Sequence, residues 1–583
     1  MNIPYQLTAE WLREQYYRKK LTPKEVVLEI IERAKADADM NIWITPPSLE
    51  LIHPYLERLN SLDIESSPLW GIPFAIKDNI DLAGVPTTAG CPEYAYQPNE
   101  DAAVVARLIA AGAIPVGKAN LDQFATGLVG TRSPFGETHN SLRPELISGG
   151  SSSGSAVSVA RGQAVFGLGT DTAGSGRIPA LLNNLVGYKP SLGAWSTKGV
   201  VPACASLDCV TVFSHRIEDA ILVDSVARGF EEEDPWSREL PVPNASLPKR
   251  FVLPKQAPEF YGPFANKYQN AWERTVAQIE CLGVDVDYVD TTFLSDAAEL
   301  LYGGPMVAER WASLGEFVEG HPGATFPVTE EVLRSGSASQ YDAAAVFRAQ
   351  HQLQAYKRQA QKLLENSVFV LPTAGGTWTR DQVRENPIGT NSEMGRYTNH
   401  CNLLDMCAVA IPAGEADVHL PFGITIFGLA EGEGLIRGAA NLFLQSSTQS
   451  EEEKTLIAVC GLHMRGLPLE KQMQECRARF MREDMSAPVY QLVKLPSEPA
   501  KPGMIKKNDG SGGSIELEIW EMPLSEFGKF TKMIPAPLGI GKVELADGSE
   551  VPGFVCEAYA ADGAEDITAL GGWRKLLQLN ESC

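Results

Sequence analysis

Residues 148–175 read SGGSSSGSAVSVARGQAVFGLGTDTAGS. The glycine and serine run at its start would, by itself, suit a flexible linker. Linkers stay polar, whereas this run passes directly into Ala156, Val157, Val159 and Ala160. That change of character predicts a glycine-rich turn feeding a buried helix. Such turns offer backbone N–H groups and the positive end of a helix to a ligand. A phosphate loop is the alternative, and the missing G-K-[ST] ending counts against it. At the far end, Thr172-Ala173-Gly174-Ser175 supplies consecutive backbone N–H groups, flanked by Asp171 and Arg177.

Outward from this stretch, strands alternate with helices. Gly71–Ile80 reads as a buried strand, Asp101–Ala111 as a helix stopped by Gly112, and Ala113–Gly117 as another strand. Further strands are predicted at Arg250–Leu253, Ser367–Leu371 and Phe422–Ile426. Two helices open the chain. The second has Thr22 as N-cap, Pro23 at its first position and Glu25 closing a capping box, with Val26, Val27, Ile30 and Ile31 on one apolar face. The alternation predicts an α/β sheet packed on both faces. Gln445–Lys454 (QSSTQSEEEK) is polar and aperiodic and reads as a linker. It divides an expected domain over 1–450 from a small α+β domain over 455–583. In the latter, strands are expected at Thr455–Cys460 and Ile515–Trp520, and a long loop at Ser497–Gly513. No internal repeat is visible.

Three separated motifs, AIKDN at Ala75–Asn79, GGSSSGSA and GTDTAGSGRIP, resemble the amidase signature family in order and in spacing. The resemblance covers roughly residues 1–450 and implies a mixed β-sheet core flanked by helices. It assigns Ser175 as nucleophile, Ser151 as bridging serine behind a cis peptide, and Lys77 as terminal base. The N–H groups of Thr172, Ala173, Gly174 and Ser175 become an oxyanion hole. The assignment is chemically sound. A free serine hydroxyl needs an adjacent base, and no histidine lies in these motifs. Lysine, with a reference pKa of about 10.4, serves only when burial brings it near neutrality, for which Phe74, Ala75 and Ile76 provide apolar company. The competing reading is a surface lysine paired with Asp78. Asp171 and Arg177 read as supports of the serine loop, or else as a surface ion pair.

Fold and triad do not choose the amide. Gly117–Gly136, Leu301–Trp311 (LYGGPMVAERW), Gly395–Asp405 (GRYTNHCNLLD) and the appended C-terminal domain resemble allophanate hydrolases. That implies hydrolysis of allophanate, a small anionic substrate, to ammonia and N-carboxycarbamate without a cofactor. Arg310 would take the carboxylate as a fork. Tyr302, about two helical turns earlier, and the backbone at Gly127 would line the pocket. The competing reading makes Glu309–Arg310 the charged edge of a surface helix and Tyr302 core. Biuret-like or malonamide-like amides, and a non-catalytic amidase-like scaffold, remain open alternatives. The C-terminal domain resembles γ-glutamyl cyclotransferases in shape. It offers His463 as a general base for breakdown of N-carboxycarbamate, or as a structural histidine, with Glu516 and Glu518 as companions.

Ser153 stands where many relatives have glycine, and Gly375–Gly376 where they often have proline. The formal net charge of −23 argues against nucleic acid and against anionic membrane. It also disfavours a subunit that amidates charged transfer RNA. It obliges an anionic substrate to find a local cationic clamp. No apolar run is long enough for a membrane span. The charged N-terminus does not resemble a signal peptide. The ten cysteines, with no C-x-x-C pair, suggest reduced thiols and no metal. A cytoplasmic protein is the resulting expectation, and the family resemblance implies a homodimer.

Overall fold

The computed structural model describes residues 3–450 and 454–581. The chain forms two compact units, Met1–Ser446 and Ser447–Cys583. The first is built on a sheet of eleven strands: β1 (Trp43–Thr45), β2 (Pro73–Lys77), β3 (Ile114–Ala119), β4 (Phe166–Asp171), β5 (Val186–Lys189), β6 (Cys209–Ser214), β7 (Arg250–Pro254), β8 (Asp285–Val289), β9 (Val368–Pro372), β10 (Met406–Asp417) and β11 (Leu420–Leu429). Their order is β1-β3-β2-β4-β6-β5-β10-β11-β9-β7-β8. β2 runs parallel to β3 and β4, while β4–β6, β5–β10 and β10–β11 are antiparallel. The sheet is therefore mixed. Every residue of β2, β3 and β4 is buried, as expected for parallel strands covered on both faces.

The strand expected over 71–80 is shorter, because Gly71 adopts φ +74° before it and the chain turns after it, Ile80 N–H donating to Lys77 O at 2.9 Å. Lys77 thus ends β2 and Asp171 ends the adjacent parallel β4, where open α/β sheets carry their sites. The helix after the serine run is Ser153–Ala160, buried along most of its length. The second N-terminal helix, Pro23–Ala36, carries the expected capping box of Thr22 and Glu25. Gly375 and Gly376 let the chain lie on a neighbouring backbone: a Cβ there would sit 2.4 Å from Glu259 O and 2.1 Å from Tyr261 O.

Two expectations fail. Gln445–Ser450 is not a linker but the end of the helix Glu433–Ser450, which is held by the buried face of Ile436, Ala439, Ala440 and Phe443. Its polar tail prolongs the helix backbone to Ser450. Residues 451–453 lie outside the described residues, and Lys454 already opens a strand. Ser497–Gly513 is likewise not one long loop. It contains a strand, Lys501–Lys506, anchored by the buried Met504 and Ile505, whose short apolar signal is masked by flanking Pro, Lys and Gly.

The second unit holds β12 (Lys454–Val459), β13 (Arg479–Met485), β14 (Tyr490–Leu495), β15 (Lys501–Lys506), β16 (Glu516–Pro523), β17 (Leu538–Glu544), β18 (Glu550–Cys556) and β19 (Glu565–Asp566). They make a five-stranded sheet, β13-β16-β12-β18-β17, and a three-stranded one, β15-β14-β19. Helices Leu524–Lys532 and Trp573–Glu581 complete it. No helix among the described residues is long and apolar enough to cross a membrane.

Candidate active site

Lys77 is fully buried. Its Nζ lies 2.7 Å from Ser151 Oγ and 2.7 Å from Thr170 Oγ1 on the neighbouring strand β4. Burial among apolar strands pushes the ammonium down to about 7. Asp122, Asp208 and Asp171 oppose the shift and Arg310 assists it. Lys77 is not paired with Asp78. That carboxylate turns to Lys118 Nζ, 3.3 Å away, and accepts from Thr88 N–H at 2.9 Å. An uncharged amine is what a lysine base requires.

The Gly150–Ser151 peptide is cis. Gly150 has no room for a side chain, since a Cβ would stand 2.0 Å from Asp122 Oδ2. Asp122 fixes this corner. Its N–H donates to Ser151 O at 3.0 Å. Its carboxylate accepts the N–H groups of Gly130 at 3.0 Å and Arg132 at 2.9 Å. The serine turn and the 127–132 loop are thereby tied together. Ser153, the unusual residue of the turn, points to Thr138 Oγ1 at 3.1 Å and away from Lys77's partners.

The loop after β4 is held from below by a buried ion pair. Arg177 Nε and Nη2 donate to Asp171 at 2.9 and 3.0 Å, with both side chains fully buried. Burial raises the Asp171 carboxyl, but the Arg177 guanidinium outweighs it and leaves the group below its ordinary range. The surface-pair reading of Asp171 and Arg177 is thus overturned. Asp171 also accepts the N–H groups of Gly174 and Gly176, each at 2.9 Å. Gly174 N–H is therefore committed, contrary to its expected place in an oxyanion hole. The N–H groups of Thr172, Ala173 and Ser175 have no acceptor among the described residues. Gly174 has φ +142°, and a Cβ on it would meet Thr398 Oγ1 at 2.3 Å. Asn402 Nδ2 donates to Asp171 O and to Leu207 O, both at 2.7 Å. The 395–405 segment thus braces the loop from behind. Ser175 Oγ donates to Gly127 O at 3.4 Å and makes no hydrogen bond to Ser151. The structure joins Lys77 to Ser151 and Ser175 to Gly127, and leaves the step between the two serines open.

Arg310 is 1% exposed. It is no edge of a surface helix. Its Nη1 donates to Thr126 Oγ1 at 2.9 Å, next to Gly127, so guanidinium, Gly127 carbonyl and Ser175 hydroxyl fall in one neighbourhood. Glu309 instead caps Ser206, accepting its N–H at 2.7 Å. The expectation that Tyr302 and Arg310 share one helical face fails. A helix ends at Tyr302, Gly303-Gly304-Pro305 interrupts it, and Arg310 belongs to the next helix, Ala308–Gly320. The side chain of Tyr302 lies outside the described residues.

In the second unit His463 follows β12. Its Nε2 lies 2.9 Å from Gln472 Oε1, and its ring stacks on Phe554 with centroids 5.1 Å apart. Burial lowers its pKa, Gln472 raises it and Lys501 lowers it further. The ring borders a cavity of about 250 Å³. Glu516 and Glu518 are not its companions. Glu518 accepts from Arg465 at 3.0 Å and Arg574 at 2.8 Å, Glu516 lies 4.0 Å from Arg574, and neither lines the cavity.

Comparison with known proteins places this geometry. A family model described as Amidase matches residues 25–436. The chain belongs to the amidase family. To this amidase region is joined a segment matching the allophanate hydrolase C-terminal domain over 455–578. The chain is 39% identical over 580 residues to the urea amidolyase of Saccharomyces cerevisiae, covering 92% of this chain and 31% of that protein. The Lachancea kluyveri urea amidolyase is 36% identical over 98% of this chain and 33% of its own length. The chain thus spans about a third of these curated relatives. A solved allophanate hydrolase of Kluyveromyces lactis superposes with a TM-score of 0.71 at 36% identity, covering 98% of this chain and 99% of that one.

Several residues that shape the amidase site escaped the sequence reading. Thr170 and Asp122 sit inside the quoted motifs, but nothing in their spacing singles them out. Asp208, which accepts the Thr172 hydroxyl and Ala203 N–H, lies in no motif. Its carboxyl is raised by burial. A buried acid outside a motif has no signal in one sequence.

Proposed function

We propose that this amidase hydrolyses the carboxamide of allophanate to ammonia and N-carboxycarbamate. The observation that carries the reading is a fully buried Lys77, brought down to about 7 and 2.7 Å from Ser151 Oγ, close to a buried Arg310. Ser175 Oγ swings from Gly127 O to Ser151 and attacks the carbonyl. Its proton passes through Ser151 to Lys77 and then to the leaving ammonia. Water, deprotonated by the same relay, releases the acyl group. Apo hydrogen bonds at such sites often tighten only with substrate. The N–H groups of Thr172, Ala173 and Ser175 receive the oxyanion, worth about 3–4 kcal/mol per donor. Arg310 takes the substrate carboxylate, with Gly127 and Tyr302 alongside. In a chain of net charge −23 this local cation supplies the anion selectivity.

Residues 1–450 carry this reaction in the proposed division. Residues 455–583 carry the breakdown of N-carboxycarbamate, with His463 as its base. The same reading takes the protein as a cytoplasmic homodimer that degrades a urea-derived amide. Ammonia release from allophanate, biuret and malonamide tests the substrate, with allophanate expected to lead in kcat/KM by at least about tenfold. A higher value for either other amide overturns it. Full turnover in Ser175→Ala would remove Ser175 as the nucleophile, and no ammonia release by the parent protein from any of the three amides would point to a non-catalytic scaffold.

A further inference from the structure

The cavity beside His463 carries an unassigned cation. Lys501 opens β15, opposite Leu495 on β14, and lines the same space of about 250 Å³ as His463 and Gln472. The other lysines of β14 and β15 are paired, Lys494 with Glu565 at 3.3 Å and Lys506 with Glu544 at 3.0 Å. Lys501 has no carboxylate within ion-pairing distance among the described residues. The remaining lining is apolar apart from Gln472 and the Cys460 thiol, which burial pushes up to about 12. No acid borders the cavity, in a chain with 73 of them. Lys501 also faces an adjoining cavity, shared through Pro535 and Leu538, where Asp562 is the acid present. A lysine and a histidine lining one small, largely apolar cavity are complementary to a compact anion, and a carboxylate entering it would be charge-paired.

We propose that Lys501 is the anion-binding residue of this cavity, holding one carboxylate of a small dicarboxylate against His463. The geometry calls for a compact carboxylate; that it is one end of a small dianion of two carboxylates joined by one atom follows from the function proposed above. The identification of that dianion with N-carboxycarbamate rests on the function proposed above, whereas the binding site itself stands on the geometry. Lys501 sets selectivity here as Arg310 does in the other unit. An occupied site also places negative charge beside His463 and favours its protonated form.

Malonate, which also carries two carboxylates joined by one atom, a methylene in place of nitrogen, is the probe. The full-length chain with Ser175→Ala and Arg310→Met, which weakens malonate binding at the first site, is titrated while the His463 imidazole is followed by NMR. Malonate is expected to raise the pH at which that signal titrates. Lys501→Met is expected to weaken the effect at least about tenfold, as loss of a charge-assisted contact does, and Lys501→Arg to retain most of it. An unchanged malonate response in Lys501→Met, or no response in the parent protein, overturns the proposal. Rates of N-carboxycarbamate loss separate the two readings. A slow His463→Asn protein with Lys501→Met unimpaired in KM would sink the role of Lys501 alone. Full rates in both, with the malonate response intact, would sink the catalytic reading and leave the binding site standing.

Discussion

Lys77 is the base of the proposed reaction, and its buried environment sets the pH dependence expected of it. The proposed base is the neutral amine, so the working fraction grows as pH rises through about 7 and falls away below it. The acidic limb of kcat/KM is expected near that value, not near the ordinary value for lysine. Arg310 is one of the charges that lower Lys77, so Arg310→Met is expected to move the limb to higher pH as well as to raise KM. A lost carboxylate contact alone would leave the limb in place. Ser175→Ala is expected to reduce turnover by roughly 10⁴-fold or more, with the fold retained by circular dichroism. Lys77, Ser151 and Ser175 could be singled out in the sequence because each sits in a motif of distinctive composition, and the structure joins the first two. Thr170, bonded to the same amine at 2.7 Å, could not, because a buried threonine on a strand carries no compositional mark.

The elements show where a pattern suffices. The alternation of buried strands and helices around Ala75–Asn79 and Ser148–Ser175 was readable because apolar runs, glycine stops and capping residues coincide. Ends were not, since they depend on tertiary partners: the helix through Gln445–Ser450 continues past its last apolar residue, and β15 hides between prolines. The catalytic loop is likewise held by contacts from outside its own stretch. Asp171→Asn would leave Arg177 buried and short of a counter-charge. Breaking such a pair costs about 3–5 kcal/mol, and the amidase unit is expected to lose that much in urea denaturation. Gly174→Ala is expected to cost roughly 100-fold or more in kcat, because its methyl group meets Thr398 and its φ of +142° suits glycine. Combining it with Thr398→Gly is expected to recover part of that loss, the remainder belonging to the backbone angle.

At the scale of the whole molecule, stability and architecture bring their own tests. Asp219 accepts Ala9 N–H at 3.1 Å with one oxygen, while the other has no hydrogen-bond partner among the described residues. Burial raises its carboxyl from 3.8 to about 7. The fold therefore favours the protonated form, and stability falls as pH rises from about 4 to about 7. Asp219→Asn is expected to flatten that decline, gaining up to about 2–4 kcal/mol at pH 8 and little at pH 4 by chemical denaturation. The second unit has its own apolar core, with Ile457, Leu492, Leu517, Ile519 and Trp573 among its buried residues, which was foreseeable from the strand pattern after residue 454. The two-sheet arrangement was not, since strand order depends on pairings that no local pattern encodes. The void left by the absent side chain of Gly174 is filled by Thr398, more than two hundred positions downstream, so the serine loop and the segment that braces it are key and keyway. Grafting residues 395–405 from a donor with another taste in amides will succeed only when the donor's tooth fits that slot, and substrate preference in this scaffold should be inherited in matched pairs of segments.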